Sequence, residues 1–163
     1  MKKSGVLAQA FGVPSSILSN CLIAETASKK ARSLKCPVFT QADIRVDEGI
    51  GVTYCTEEPG SPPPTLRICR ESVRWAQKNG VEEIWIACAR PHLWRVMRDL
   101  KYAIREVKVE IKVRVCDEVY HHLEEKWFCP DSTQKRTRSR SEWMKRERIL
   151  MLIPMFIYKR VAA

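Results

Sequence analysis

Arg90, His92 and Arg95 fall within one short stretch of this 163-residue chain, directly after the apolar run Ile84-Trp85-Ile86-Ala87-Cys88-Ala89. Two guanidiniums supply fixed positive charge and forked donors, and an imidazole beside them is a donor or a general acid/base near neutral pH. Together they suit a phosphate or another small anion. The apolar run predicts a buried strand over residues 83–89, and Pro91 suits the first turn of a following helix, where its missing N–H costs nothing. Ligands of α/β proteins bind beyond the carboxyl ends of strands, where free N–H groups and the positive end of a helix dipole meet the anion. His92 and Arg95, three apart, occupy neighbouring positions on that helix, off the inward stripe of Leu93, Val96, Met97, Leu100 and Ile104. The bland alternative is a capping histidine and a surface arginine paired with Asp99. On the functional reading His92 and Arg95 are the main contacts, Arg90 and Thr65 support them, and His92 is the candidate catalytic group.

The rest of the chain must position that stretch. An apolar segment over residues 5–11 stops at Gly12-Val13-Pro14, and Ser15 and Ser16 then offer an N-cap to a helix starting at Ile17. Its inward stripe is Cys21, Ala24, Ser28, Ala31 and Leu34, and Pro37 ends it. Short strands are predicted over 37–42 and 51–56. Residues 57–64, acidic and then proline-rich, form a stiff loop, because proline lacks a donor and restricts its predecessor. A helix over 65–79 turns Leu66, Cys69, Val73 and Ala76 inward and closes at Asn79-Gly80. Strict alternation over 110–116 predicts an edge strand.

Strands alternating with helices imply an α/β, Rossmann-like three-layer sandwich with a mostly parallel sheet of about five strands, the strand over 83–89 at its centre. In such a sheet all carboxyl ends face one way. Gln9, Gln41 with Asp43, Glu57 with Glu58, and Asp117 with Glu118 would therefore line one cleft with Thr65 and His92, which makes Gln9, Gln41 and Glu57 candidate ligand contacts. The α/β domain spans residues 1–130. Residues 131–163 form a flexible basic connector and a C-terminal helix packing on the same domain, opened by a capping box at Ser139 and Glu142 and carrying Trp143, Leu150 and Met151.

Composition sets the alternatives. The net charge is +10, and residues 135–148 hold seven basic side chains against Glu142 and Glu147, a local excess of +5. Such a tract suits nucleic acid or an anionic membrane surface, with the apolar run over 149–158 as an anchor. A second reading is thus a basic nucleic-acid or membrane-surface protein acting through residues 135–158, and a third is a scaffold that forms a homodimer through its terminal helix. The longest apolar run falls short of the roughly 18 residues of a membrane span and contains Pro154, and the N-terminal apolar run is too interrupted for a signal peptide. Seven scattered cysteines without a C-x-x-C pair fit reduced thiols in the cytoplasm, where the chain is expected, with membrane-surface association left open. His121 and His122 near Cys116 and Cys129 make no zinc-ligand spacing, so no metal site is expected. The glycine fingerprints of dinucleotide and P-loop sites, the G-x-S-x-G elbow and the aromatic RNA-binding motif are absent from the sequence, and no cofactor is indicated.

The stretch Ala87-Cys88-Ala89-Arg90-Pro91-His92-Leu93-Trp94-Arg95 resembles the strand-then-H-x-x-R signature of the YdcF/SanA/ElyC-like family of bacterial envelope-associated proteins. Glu57-Glu58-Pro59-Gly60-Ser61 through Thr65 resembles that family's acidic and Ser/Thr loop, and Glu142-Trp143-Met144-Lys145-Arg146-Glu147 its terminal helix. Arg67 and Ile68 stand where the family usually has a Glu-Asn pair, and its early Gly-Gly and Ser-Glu-Ala elements are missing, so this copy is shortened. The resemblance implies a Rossmann-like fold and a cleft for a small phosphorylated or nucleotide-like ligand, with an envelope-related role. It implies no particular reaction.

Overall fold

The computed structural model describes residues 2–57 and 63–161. The proline-rich loop expected over 57–64 lies largely outside the described residues. Strands β1 (Ser4–Gln9), β2 (Val38–Thr40), β3 (Val52–Tyr54), β4 (Glu83–Cys88) and β5 (Lys112–Val115) pair in the order β3-β2-β1-β4-β5, every neighbour parallel. The chain is thus an α/β protein with a Rossmann-like three-layer sandwich. The middle strand is β1 rather than β4, which lies between β1 and the edge strand β5.

Side chains alternate across the sheet because the strand period is two. Val6, Ala8, Ala87 and Ala89 pack toward helix α1 (Leu18–Leu34), while Leu7, Ile84, Ile86 and Cys88 pack toward α2 (Thr65–Lys78) and α3 (Leu93–Val107). Fully burying each larger aliphatic among these contributes about 1.5–3 kcal/mol. On α2 the expected stripe is inside, Leu66, Cys69, Val73 and Ala76 being wholly buried.

Helix α1 departs from its expected pattern. Cys21 is exposed and Leu34 only partly covered, while Ile23, Ala24, Ala27 and Ala31 form the inward face together with the polar Ser19, Asn20, Thr26 and Ser28. Its N-cap is Ile17, with no side-chain cap. Polar side chains of the first turn bind the preceding loop instead: Ser19 Oγ donates to Phe11 O (2.9 Å), and Asn20 accepts from Phe11 N (2.9 Å) and donates to the carbonyls of Gly12 and Pro14 (3.0 Å each). The sequence of α1 is shaped by that loop as much as by the core.

The C-terminal arm is packed, not a flexible connector. Ser132 and Thr137 are buried, and their hydroxyls lie 2.8 Å apart. Thr133 N donates to Val13 O (2.9 Å). Gly12, at φ +100°, makes this close approach possible: a Cβ there would meet Ser132 Oγ at 2.6 Å and Thr137 Oγ1 at 2.7 Å. The single terminal helix expected from sequence is two, α4 (Arg140–Leu152) and α5 (Met155–Val161), because Pro154 cannot continue the first. Ser139 caps α4 by accepting from Glu142 N (3.3 Å), whereas the Glu142 carboxylate pairs with Lys145 instead of closing the capping box. Trp143 and Leu150 are buried as expected and Met151 is exposed.

Candidate functional site

The order β3-β2-β1-β4-β5 has one switch point, between β1 and β4, where successive connections leave in opposite directions and a crevice opens beyond the carboxyl ends. A cavity of about 180 Å³ lies there. Ala10, Phe11 and Gly12 line it from the end of β1, Gln41 and Asp43 from the end of β2, Thr65 from the start of α2, His92 from the turn after β4 and Arg95 from the first turn of α3. The C-terminal arm closes the other side with Gln134, Arg136, Thr137, Trp143, Arg146 and Tyr158.

Pro91 is the middle residue of a single 3-10 turn, Arg90–His92, ahead of α3, and His92 is the N-cap residue of the helix. His92 and Arg95 are each only 6% exposed, so neither is the surface residue that the amphipathic pattern suggested. Trp143 explains the difference: its indole N–H donates to Pro91 O (3.1 Å), and its ring packs edge-on against His92 (5.3 Å) and under the Arg95 guanidinium (4.9 Å). The arm therefore buries what the sheet alone would leave at its rim.

His92 Nε2 lies 3.1 Å from Thr65 Oγ1, and Nδ1 has no protein partner among the described residues. Burial, and then the charges of Arg95, Arg136 and Arg146, hold the imidazole well below its ordinary pKa. It is neutral at physiological pH. When the Thr65 hydroxyl donates to Nε2, the proton of the neutral ring sits on Nδ1, which is then a donor without an acceptor.

Arg95 pairs with the buried Glu147 (Nη2 to Oε2, 3.4 Å), not with Asp99. Asp99 instead accepts from Tyr158 O–H (2.6 Å) and Arg98 Nε (3.0 Å), and Arg98 also donates to Leu150 O (2.9 Å) near the end of α4. Desolvation pushes both partners of the Arg95–Glu147 pair toward neutrality, the guanidinium down and the carboxyl up. Arg95 Nε and Glu147 Oε1 are buried without partners among the described residues. The pair does not fully compensate its own burial. At the rim, desolvation and then the neighbouring Arg146 and Arg95 push the Arg136 guanidinium down to about 10. Neither Arg136 nor Arg146 forms an ion pair among the described residues. Three guanidiniums thus crowd one cavity. The acids that act on Arg95 are Glu147 and Asp99, and Asp43, whose carboxyl is pushed up by burial and by Glu57, is in the cavity lining.

The residues expected from sequence divide into two groups. Thr65, Gln41, His92 and Arg95 line the cavity, and Gln41 also accepts from Ala10 N (2.9 Å). Arg90 is exposed and outside the lining, because the 3-10 turn carries it past the cavity. Gln9 is wholly buried beneath the site, its amide donating to Cys69 Sγ (3.3 Å), and Glu57 accepts from Ala42 N (3.0 Å) and Cys55 Sγ (3.5 Å). Neither lines the cavity. Glu118 faces Lys29 and Lys30 on α1 (3.8 Å each), away from the lining, and Glu58 lies outside the described residues. The basic tract supplied the missing parts, Arg136 and Arg146. Their signal was the inward spacing of Trp143, Glu147 and Leu150 on α4, which turns one end of the tract toward the domain.

No protein-family model and no curated protein matches this chain. Among solved structures it is similar to the universal stress protein from Archaeoglobus fulgidus in complex with dAMP, at 15% identity and a TM-score of 0.36, over 71% of this chain and 97% of that one. The fold assignment rests on the strand order and the parallel pairing themselves. Among the described residues no helix is long and apolar enough to cross a membrane, and no group of three or more His, Cys, Asp or Glu could hold a metal ion.

Proposed function

We propose that the cavity at the β1/β4 switch point binds a small phosphorylated ligand by its phosphoryl group. The observation that carries this reading is the convergence of Arg95, Arg136 and Arg146 on one small cavity beside the neutral His92. Buried or crowded guanidiniums are costly unless an anion meets them, and their forked donors match phosphate oxygens. The first turn of α2, which follows the extended Pro64 and has no side-chain cap, adds free N–H groups and a positive dipole end. A cavity of about 180 Å³, larger than the roughly 150 Å³ cavity that holds benzene, has room for a phosphoryl group together with part of the sugar that carries it.

In this reading His92 and Thr65 bind and orient the ligand. Arg67 and Ile68 supply no carboxylate where the YdcF/SanA/ElyC-like pattern has one. The chain is then a shortened, divergent relative of that family that keeps its H-x-x-R element.

Thermal unfolding with inorganic phosphate, AMP or ribose 5-phosphate tests the proposal. A ligand at a hundredfold its Kd stabilises by about 2.7 kcal/mol, a rise of several degrees for a chain of this size. Arg136 and Arg146 are solvent-accessible at the rim, so Arg136→Ala with Arg146→Ala is expected to fold and to lose most of that rise. No rise with any of these compounds, or an equal rise in the double variant, contradicts the proposal.

A further inference from the structure

The outward face of the C-terminal arm carries a second feature. The inward stripe of α4 is Trp143, Glu147 and Leu150, which leaves Lys145, Arg148, Ile149 and Leu152 on the opposite side. On α5 Tyr158 is buried while Phe156, Ile157, Lys159 and Arg160 are exposed. Ile149 is 61% exposed, Leu152 84% and Phe156 63%. Single exposed apolar residues are ordinary on protein surfaces, but a cluster rimmed by charge of one sign marks an interaction face. Leu152 and Phe156 are four residues apart across Pro154, hence within about 14 Å of each other. The one exposed acid on these two helices is Glu142, already paired with Lys145.

We infer that this face docks on the surface of an anionic lipid bilayer. Ile149, Leu152 and Phe156 enter the boundary between headgroups and acyl chains, and Lys145, Arg148, Lys159 and Arg160 lie at the level of the lipid phosphates. Charge complementarity chooses this occupant. A second copy of the chain would bring the two basic rims together across a two-fold interface, where like charges oppose association. Nucleic acid would meet the basic residues but leave Ile149 and Leu152 unmatched, since bases stack on aromatic rings and guanidiniums. An anionic bilayer satisfies both kinds of side chain.

The test is co-sedimentation of the full chain with vesicles of phosphatidylcholine alone and of phosphatidylcholine mixed with phosphatidylserine. Binding is expected to the mixed vesicles at low salt, weakening as salt rises. Leu152→Ser with Phe156→Ser, and separately Arg148→Glu with Arg160→Glu, are each expected to weaken it by at least about tenfold. None of these four residues lines the cavity, and far-ultraviolet circular dichroism with thermal unfolding reports that each variant is folded. Should the apolar pair fail to fold, the exposed arginine pair decides the question. The inference is overturned if the chain ignores mixed vesicles at low salt, or if folded variants bind them as the parent does. It is equally overturned if Leu152→Ser with Phe156→Ser abolishes a dimer seen by sedimentation while vesicle binding persists, or if the chain binds single-stranded RNA and no vesicles.

Discussion

Leu7, Ile84 and Ile86 at the centre of the sheet are buried among aliphatic, aromatic and thiol side chains, whereas the C-terminal arm also buries Ser132, Thr137, Glu147 and the Tyr158 hydroxyl. The sheet gains stability as area leaves water. The arm is fixed by burial of Trp143, Leu150 and Tyr158 and also by hydrogen bonds and the Arg95–Glu147 ion pair, whose desolvation roughly offsets their attraction. A polar, half-compensated wall against an apolar floor is a poor way to gain stability and a good way to hold an anion. On the proposed reading, binding is the reason the arm is built as it is.

The largest expected effect separates these roles. Arg95→Ala leaves Glu147 buried without its partner and is expected to cost about 3–5 kcal/mol, comparable to the roughly 2–5 kcal/mol expected for Ile86→Ala in the sheet. The paired replacement Arg95→Met with Glu147→Leu removes both charges and is expected to be neutral or stabilising by denaturant titration. It should still abolish phosphate binding. A paired variant as unstable as Arg95→Ala would mean that the arm stabilises the fold in the same way as the sheet.

Gly12→Ala tests the contact between the two regions. A Cβ at a left-handed φ, 2.6 Å from Ser132 Oγ, is expected to cost about 1–3 kcal/mol and to lift the arm. Tryptic cleavage within 135–140 should then accelerate while far-ultraviolet circular dichroism of the sheet persists. Unchanged protection of the arm would show that the loop after β1 does not hold it.

A smaller effect is expected in the acid range. The folded-state pKa of His92 lies below the unfolded value of about 6.5, so the unfolded chain binds the proton first and stability is lost as pH falls below that value. Asp99 and Glu147, both raised, act in the opposite sense as pH falls, but equally in both proteins compared. His92→Gln should therefore lose less stability than the parent between about pH 6.5 and 5, by at most about 1.4 kcal/mol per pH unit. Parallel curves would mean that the imidazole is not held neutral.

The same contrast decides how much was legible in the sequence. Strand β4, α2 and the edge strand β5 could be read because aliphatic periodicity reports burial on a sheet. Helix α1 was harder, since Ala24, Ala27 and Ala31 pack by being small while Ser19 and Asn20 turn inward to hold a loop. His92 and Arg95 stood out by residue type and position, but their burial did not, because Trp143 covers them from about fifty residues away in sequence. Arg136 and Arg146 lay inside a charge run, where periodicity distinguishes poorly between solvated and inward-facing basic residues. Gln9 and Glu57 show the converse: a polar residue at a strand end is as readily a support beneath or beside a site as part of its wall.

The central claim is that the two regions meet to hold a phosphoryl group. A crystal structure of the full chain grown with phosphate tests it most directly. The account predicts the anion in the switch-point cavity, with donors from Arg95, Arg136 and Arg146 and the His92 ring alongside. An anion bound elsewhere, with the arm packed shut over an intact Arg95–Glu147 pair, would contradict it.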